Sequence, residues 1–349
     1  MKPLVFITGA SSGLGQALAL RYYQAGYQLA LVARRIEEVE LWARRHKINP
    51  DSYKIYSANV ANIDSIVAAG NACLSSQGLP DVVIANAGIS IGVDTSYRED
   101  LDQLALTYAT NNIGMAATFH PFIAGMVQRG GGRLVGIASV GGIRGMPGHG
   151  AYCASKAAVI SYLESLRGEL TSGGVQVVTI CPGYVATPLT QKNRYPMPFL
   201  MQPSDFADKA FATISKGSSY RVIPWQMGIV AKLLRLMPID LFNGQIITLE
   251  IGRICAHHPL PLFLGNSEFT DIKIFKRNIV NGFFFIVVIT SHFKSTAFHK
   301  NHLRLEIILS EGLLLERGGD DNGWFDYFRF RRIRFNFYNR SFEFQFQFF

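Results

Sequence analysis

Along residues 1–240 the chain alternates short apolar runs with longer stretches of helical pattern. The runs Leu4–Thr8, Gln28–Ala33, Tyr53–Ala58, Asp81–Asn86, Arg133–Ala138 and Val175–Cys181 are apolar and often β-branched, and most are bounded by Gly, Pro, Asn or Ser, which predicts strands. Between them Leu14–Ala25, Ile36–His46, Ile63–Gln77, Asp100–Gln128 and Ala151–Ser172 read as helices. A further helix begins near Pro203, a seventh strand spans Tyr220–Ile223, and a last helix, Trp225–Met237, is stopped by Pro238. Nearly continuous apolar strands alternating with helices predict an α/β fold, a doubly wound parallel sheet covered on both faces.

This rhythm stops near residue 245. Residues 246–349 hold 18 of the 25 phenylalanines, and from Phe325 onward they approach strict alternation, as in Phe-Glu-Phe-Gln-Phe-Gln-Phe. Period two suits a half-buried strand, or an aggregation-prone edge if nothing covers it. Charge does not mark this border, since the tail carries 13 basic and 10 acidic residues against 21 and 15 before it. The expected organisation is a domain over 1–245 and a Phe-rich extension over 246–349 with no ordered role of its own.

With 48% hydrophobic and 17% charged residues in a chain of 349, a sizeable core can be buried and global disorder is excluded. The net charge of +9 fits a phosphate-bearing ligand, an anionic membrane surface or nucleic acid without choosing among them. The positive charge is dispersed and no aromatic–basic binding motif is present in the first part, so no nucleic-acid partner is expected. Cys73, Cys153, Cys181 and Cys255 form no Cys-x-x-Cys pair. No disulfide framework or metal site is expected, and a reducing compartment fits. The apolar run Leu4–Ile7 is too short for a secretory signal, and no segment reaches about 18 consecutive apolar residues, so a cytoplasmic location is expected.

The first candidate chemistry follows the first strand directly. In Thr8-Gly9-Ala10-Ser11-Ser12-Gly13-Leu14-Gly15, glycines allow a tight turn and a close backbone approach to a pyrophosphate, and the helix that opens there presents its positive end. A dinucleotide fold places an acid about 20 residues on, for a ribose 2′-hydroxyl. Here the second strand ends in Arg34-Arg35, with no carboxylate. A guanidinium pairs bidentately with a 2′-phosphate, which favours NADP(H) over NAD, with Arg34 the better placed and Arg35 facing solvent.

The second candidate is Tyr152-Cys153-Ala154-Ser155-Lys156, which sets Tyr152 and Lys156 one helical turn apart on one face. Ser139 lies 13 residues earlier, at the end of the fifth strand, on the sheet edge where ligands bind in this architecture. A phenol with a pKa of about 10 exchanges protons poorly near neutrality. A lysine ammonium about 4 Å away would lower that pKa by the roughly 3–4 kcal/mol that efficient exchange needs. Ser139 can hydrogen-bond a substrate oxygen as charge develops on it.

On these motifs, together with Asn86-Ala87-Gly88, Asn111-Asn112-Ile113-Gly114 and Pro182-Gly183-Tyr184-Val185-Ala186-Thr187, residues 1 to about 240 resemble the short-chain dehydrogenase/reductase family. The resemblance implies a Rossmann-type domain, hydride transfer at a nicotinamide, Tyr152 as general acid or base, and Lys156 also binding the nicotinamide ribose. It implies that Asn111 helps hold a water-linked proton relay. Asn112 is set aside, because the family's Asn precedes the Gly by three residues. It further implies that Gly9, Ser11, Ser12, Gly13, Leu14 and Gly15 cradle the cofactor, with Asn86, Ala87 and Gly88 as its floor and Pro182, Gly183, Val185 and Thr187 near the carboxamide. Asn59-Val60 stands where the family has Asp-Val, and the amide can still meet an adenine edge. Members commonly form homo-oligomers through the helices carrying Asp100–Gln128 and Tyr152.

For the substrate, the glycine-rich stretch Val140–Gly150 can close over a ligand, and Leu189–Phe206 brings Met197, Phe199, Leu200 and Met201 in a segment that resembles the family's mobile lid. This content points to a lipophilic carbonyl or alcohol. On a helical wheel Trp225, Ile229, Val230, Leu233, Leu234, Leu236 and Met237 span about half the circumference, with Lys232 and Arg235 read as opposite. So broad a face could pack on the domain, meet a subunit or make a peripheral membrane contact.

Overall fold

The computed structural model describes residues 2–191 and 197–239, together with seven strand segments between 272 and 348. They form two compact units, Met1–Met237 and Pro238–Phe349. The first unit runs β1 (Leu4–Thr8), α1 (Gly13–Gln24), β2 (Gln28–Ala33), α2 (Ile36–Arg45), β3 (Tyr53–Ser57), α3 (Ile63–Ser76), β4 (Val82–Ala85), α4 (Asp100–Tyr108), α5 (Gly114–Arg129), β5 (Gly132–Ile137), α6 (Gly150–Leu170), β6 (Val175–Pro182), α7 (Pro188–Gln191), α8 (Pro203–Ser215), β7 (Tyr220–Ile223) and α9 (Trp225–Leu236).

All seven strands join one parallel sheet in the order β3-β2-β1-β4-β5-β6-β7. The alternation of side chains across a strand splits the apolar residues between two cores. Leu4 and Phe6 of β1 enter one core with Ile66, Phe119, Phe122 and Leu163, while Val5 and Ile7 enter the other with Leu18, Trp42, Phe206 and Ile214. The interior strands β1 and β4 are therefore buried along their whole length, whereas β3 and β7, at the sheet edges, leave positions open to water. The chain leaves β1 toward β2 and β3 and returns to β4 on the other side of β1, which creates the crevice where such sheets bind ligands.

Two elements depart from the sequence reading. The stretch expected as one helix over Asp100–Gln128 is two helices joined by a π-helical turn at Ala109–Ile113. The turn ends at Gly114, which packs against the Val60 carbonyl, and it coincides with long-range contacts described with the site below. In α9, Met227 and Ala231 are buried and Trp225, Ile229, Leu233 and Leu236 are exposed, so the apolar face is divided between core and solvent. Lys232 and Arg235 are exposed along the edge of the outer row rather than opposite the apolar residues.

Within the segment expected as a lid, residues 192–196 lie outside the described residues. Met201 is buried and bridges to Val185, while Leu189, Phe199 and Leu200 are exposed. In the second unit, Leu303–Glu311, Arg329–Tyr338 and Ser341–Phe348 form a three-stranded antiparallel sheet, the last two falling where period two predicts strands. Cys255 lies outside the described residues.

Candidate active site

The crevice opens at Thr8, the last residue of β1. Its Oγ1 accepts the backbone N–H groups of Asn86 and Ala87, each at 3.1 Å, which ties the end of β1 to the loop after β4. Asn86 Nδ2 donates to Thr8 O at 3.0 Å, so the floor residues Asn86 and Ala87 are locked to the glycine turn. Gly9 has φ +71 and a Cβ there would lie 2.9 Å from Ala87 Cα. A Cβ on Gly15 would collide with the carbonyl of Gly9. The turn is thus a backbone surface that no side chain can fill.

Gly13, at φ +56, opens α1, and a Cβ on it would sit 3.3 Å from Thr187 Cβ. The fold in this way brings the first glycine loop against the segment after β6, 174 residues apart (187 − 13). Ser12 is the N-cap of α1 but makes no side-chain capping bond, and no acidic residue lies in the first turn. The first N–H groups of α1 therefore have neither side-chain acceptor nor carboxylate beside them, which suits a phosphate. Ser11 and Leu14 flank the turn half-buried, and Ser11 O accepts Gln16 Nε2 at 2.9 Å. Arg34 and Arg35 are both exposed where β2 ends, Arg35 as the N-cap of α2. Asn59 is exposed and its Oδ1 accepts Ala61 N–H at 3.2 Å, while Val60 is buried with its carbonyl against Gly114.

Along the rim, Gly183 donates to Ile223 O at 2.8 Å, Pro182 and Val185 are buried, and Thr187 N–H is held by Thr190 Oγ1 at 3.0 Å. The donors and cradles here fit a dinucleotide, whose pyrophosphate the Gly9–Gly15 turn would hold.

The other half of the site is made of side chains. Asn111 is completely buried in the π-helical turn. Its Oδ1 accepts Ile89 N–H at 2.9 Å, and its Nδ2 donates to Ile89 O at 3.0 Å and to Ser155 Oγ at 2.9 Å. Ser155 Oγ donates in turn to Tyr152 O at 2.8 Å, and Ser155 O accepts Asn112 Nδ2 at 2.8 Å. Two adjacent asparagines thus clasp one residue of α6, and this long-range clasp coincides with the π-helical turn. Asn112, set aside by the sequence reading, is half of it. Ser155 was the residue missed, although its place three after Tyr152 puts it on a neighbouring face of the helix. Thr8 was likewise unassigned, its signal being its position as the last strand residue before the glycine turn.

Lys156 is 5% exposed and its Nζ donates to Ile137 O at 2.8 Å. A Cβ on Gly88 would lie 3.2 Å from Asn111 Oδ1 and 3.4 Å from Lys156 Nζ, so Gly88 marks the point where these two groups converge. A Cβ on Gly141 would meet Tyr152 Cε1 at 3.2 Å and Ser139 Oγ at 3.4 Å, which puts the serine and the phenol on one small patch. Ser139 Oγ accepts Gly141 N–H at 3.0 Å, leaving its own proton free to be donated elsewhere.

Desolvation governs both ionisable groups, the buried Lys156 and the half-buried Tyr152. It pushes the Tyr152 phenol up from its usual range, and a hydrogen bond from Ser139 opposes the rise. It pulls the Lys156 ammonium down to about 8, a neighbouring Cys181 acting the other way. Lysine was expected to acidify the phenol. Instead Lys156 Nζ lies 5.9 Å from the phenol ring centroid, and within the protein Ser139 is the group that lowers Tyr152. Tyr152 is therefore a neutral, proton-bearing phenol near neutral pH.

At the start of α6, a cleft of about 480 Å³ is lined by Val93, Leu104, Met146, Pro147 and Ala151 together with Asp94, Thr95, Gly148 and Gly150. Among the described residues, no group of His, Cys, Asp and Glu is arranged to hold a metal ion, and no helix is long and apolar enough to cross a membrane.

The comparisons with known proteins bear on the family and the fold. An uncharacterised oxidoreductase of Myxococcus xanthus is 34% identical over 238 residues, 68% of this chain and 94% of that protein. A dehydrogenase/reductase SDR family protein 7-like of Drosophila melanogaster is 34% identical over 54% of this chain, which spans only 58% of that relative. A solved actinorhodin polyketide ketoreductase with NADPH superposes with a TM-score of 0.57 at 26% identity, over 64% of this chain and 95% of its own. A family model described as short chain dehydrogenase matches residues 3–197. By the family match and the Myxococcus relative, with the parallel sheet in agreement, this chain belongs to the short-chain dehydrogenase family of oxidoreductases.

Proposed function

We propose that the protein is an NADP(H)-dependent oxidoreductase that interconverts a hydrophobic ketone and a secondary alcohol. The observation that carries this reading is the convergence of Asn111 and Lys156 at Gly88, with Ser139 and Tyr152 meeting at Gly141. When bound, the reduced dinucleotide supplies the hydride. The protein's own groups then bind, orient and move a proton. Ser139 Oγ, its acceptor side held by Gly141, donates to the substrate oxygen. Tyr152 Oη gives its proton to that oxygen as the carbonyl carbon accepts the hydride, so a C–H and an O–H bond form and the C=O π bond is lost. Lys156 and Asn111 hold the floor under the phenol and the route by which its proton is replaced. A phenol kept neutral by burial is ready for reduction near neutrality, whereas alcohol oxidation needs it deprotonated.

Arg34 and the absence of a carboxylate at the end of β2 support NADP(H) over NAD(H). The ketoreductase relative with NADPH supports the same cofactor and a carbonyl substrate. Val93, Leu104, Met146 and Pro147 support a lipophilic one. The test is consumption of NADPH over ketones of graded chain length. The reading predicts turnover that improves with chain length and is weaker with NADH. NADPH binding with no oxidation by any ketone would instead mark a cofactor-binding regulator on the same fold.

A further inference from the structure

We propose that α9 is a docking helix for an anionic lipid surface, lying on the bilayer rather than crossing it. The helix buries only Met227 and Ala231. Trp225 is 52% exposed and Leu236 is 80% exposed, with Ile229 and Leu233 exposed between them and Ile239 just beyond. At 3.6 residues per turn, Trp225, Leu236, Ile229 and Leu233 fall within an arc of about 80°. A contiguous outward row of that kind marks an interaction surface.

The charges around it select the occupant. From Lys209 to Ile239 the chain has five basic residues (Lys209, Lys216, Arg221, Lys232, Arg235) and no acidic one, with Asp208, paired to Arg21, and Asp240 at its two ends. Lys232 lies about 20° around the helix from Trp225 and Arg235 about 80°, both on the same side of the apolar row. β7 and the turn after Ser139 pack against α9, and these neighbours bring Arg221 and Arg144 with no carboxylate. A second copy seated here would set these cations against themselves. The extension over 246–349 has a basic surplus of its own, 13 against 10. An anionic bilayer matches both features, taking the apolar row into the headgroup boundary while the lysine keeps its ammonium in the polar layer. A tryptophan suits that boundary as well.

The helix is also joined to the site. Arg235 Nη1 donates to Ile143 O at 2.9 Å, four residues after Ser139. Docking would thus bring the Ser139 turn to the lipid surface. The inference rests on the exposed row and the charge, and stands apart from the catalytic reading, since its readout is binding rather than turnover.

The experiment is co-sedimentation of the full chain with phosphatidylcholine vesicles, with and without phosphatidylglycerol, at low and high salt. The expected result is binding that requires phosphatidylglycerol and weakens with salt. Lys232→Glu lowers the partition coefficient on the order of tenfold. The double variant Leu233→Glu/Leu236→Glu abolishes binding while its circular dichroism and thermal midpoint stay as in the wild type. Wild-type protein left in the supernatant would overturn the proposal, as would equal binding to neutral vesicles or unimpaired binding by the double variant. If wild type does not sediment and the double variant turns an oligomer into a monomer by light scattering, the face is a subunit interface instead.

Discussion

The two halves of the crevice are built from opposite materials. The dinucleotide half is backbone: Gly9 and Gly13 at positive φ, Gly15 against the Gly9 carbonyl, and an α1 N-terminus with no side-chain cap. The chemical half is side chain: Asn111, Ser155 and Lys156 buried and bonded, with Ser139 and Tyr152 beside them. The first half fails when a side chain is added, and the second when one is removed. Stability separates them further. Glycines at the turn relieve strain, whereas a buried ammonium imposes it.

The largest effect is expected at Gly15. Its substitution by Ala drives a Cβ into the Gly9 carbonyl and should cost about 3 kcal/mol or more, read as a lower urea midpoint, together with lost NADPH binding. A Gly15→Ala protein with unchanged midpoint and affinity would break the contrast. At the outer edge of the same half, Arg34→Ala should raise the NADPH dissociation constant about tenfold or more while leaving NADH little changed, measured by titration of cofactor fluorescence. An equal loss for both cofactors would take the 2′-phosphate role away from Arg34.

The chemical half was only partly legible in the sequence. Tyr152, Lys156 and Ser139 could be read because helical spacing and strand ends are local properties. The strands were legible for the same reason, since β1 and β4 are apolar on both faces and sit between glycines, prolines and asparagines. The π-helical turn was not: the Asn111-Asn112-Ile113-Gly114 motif marks the place, but the clasp of both asparagines on Ser155 spans more than 40 residues and shows only in the fold. The direction of the Tyr152 shift was missed for a related reason. A Tyr–Lys spacing says that two groups share a face, but how deeply both are buried depends on the whole fold. In α9 the wheel showed the apolar content, while its division between core and solvent depended on what β7 and the Ser139 turn cover.

Lys156→Met sharpens the contrast from the other side. The ammonium has its pKa lowered to about 8, below its unfolded value, so the folded state disfavours the proton. That penalty is fully present below pH 8 and fades as pH rises toward the unfolded value near 10.5. Replacement by Met should therefore stabilise the protein at pH 7 by about 1–2 kcal/mol, after allowing for the Ile137 carbonyl left without its donor, with the gain shrinking toward pH 10. Urea unfolding at both pH values measures it, and a destabilised variant at pH 7 would contradict the burial argument. Lys156 also sets the smallest expected effect, a decline in reductase activity of wild type as pH passes 8 and the cation is lost, read from the pH profile of kcat.

The most direct test is Tyr152→Phe, which removes one oxygen and changes no packing volume. NADPH binding by fluorescence and ketone reduction by absorbance are measured on the same sample. The account predicts near-normal NADPH affinity with turnover lower by about 10²–10⁴-fold. Turnover close to wild type in that variant would show that the proton comes from elsewhere and would contradict the account.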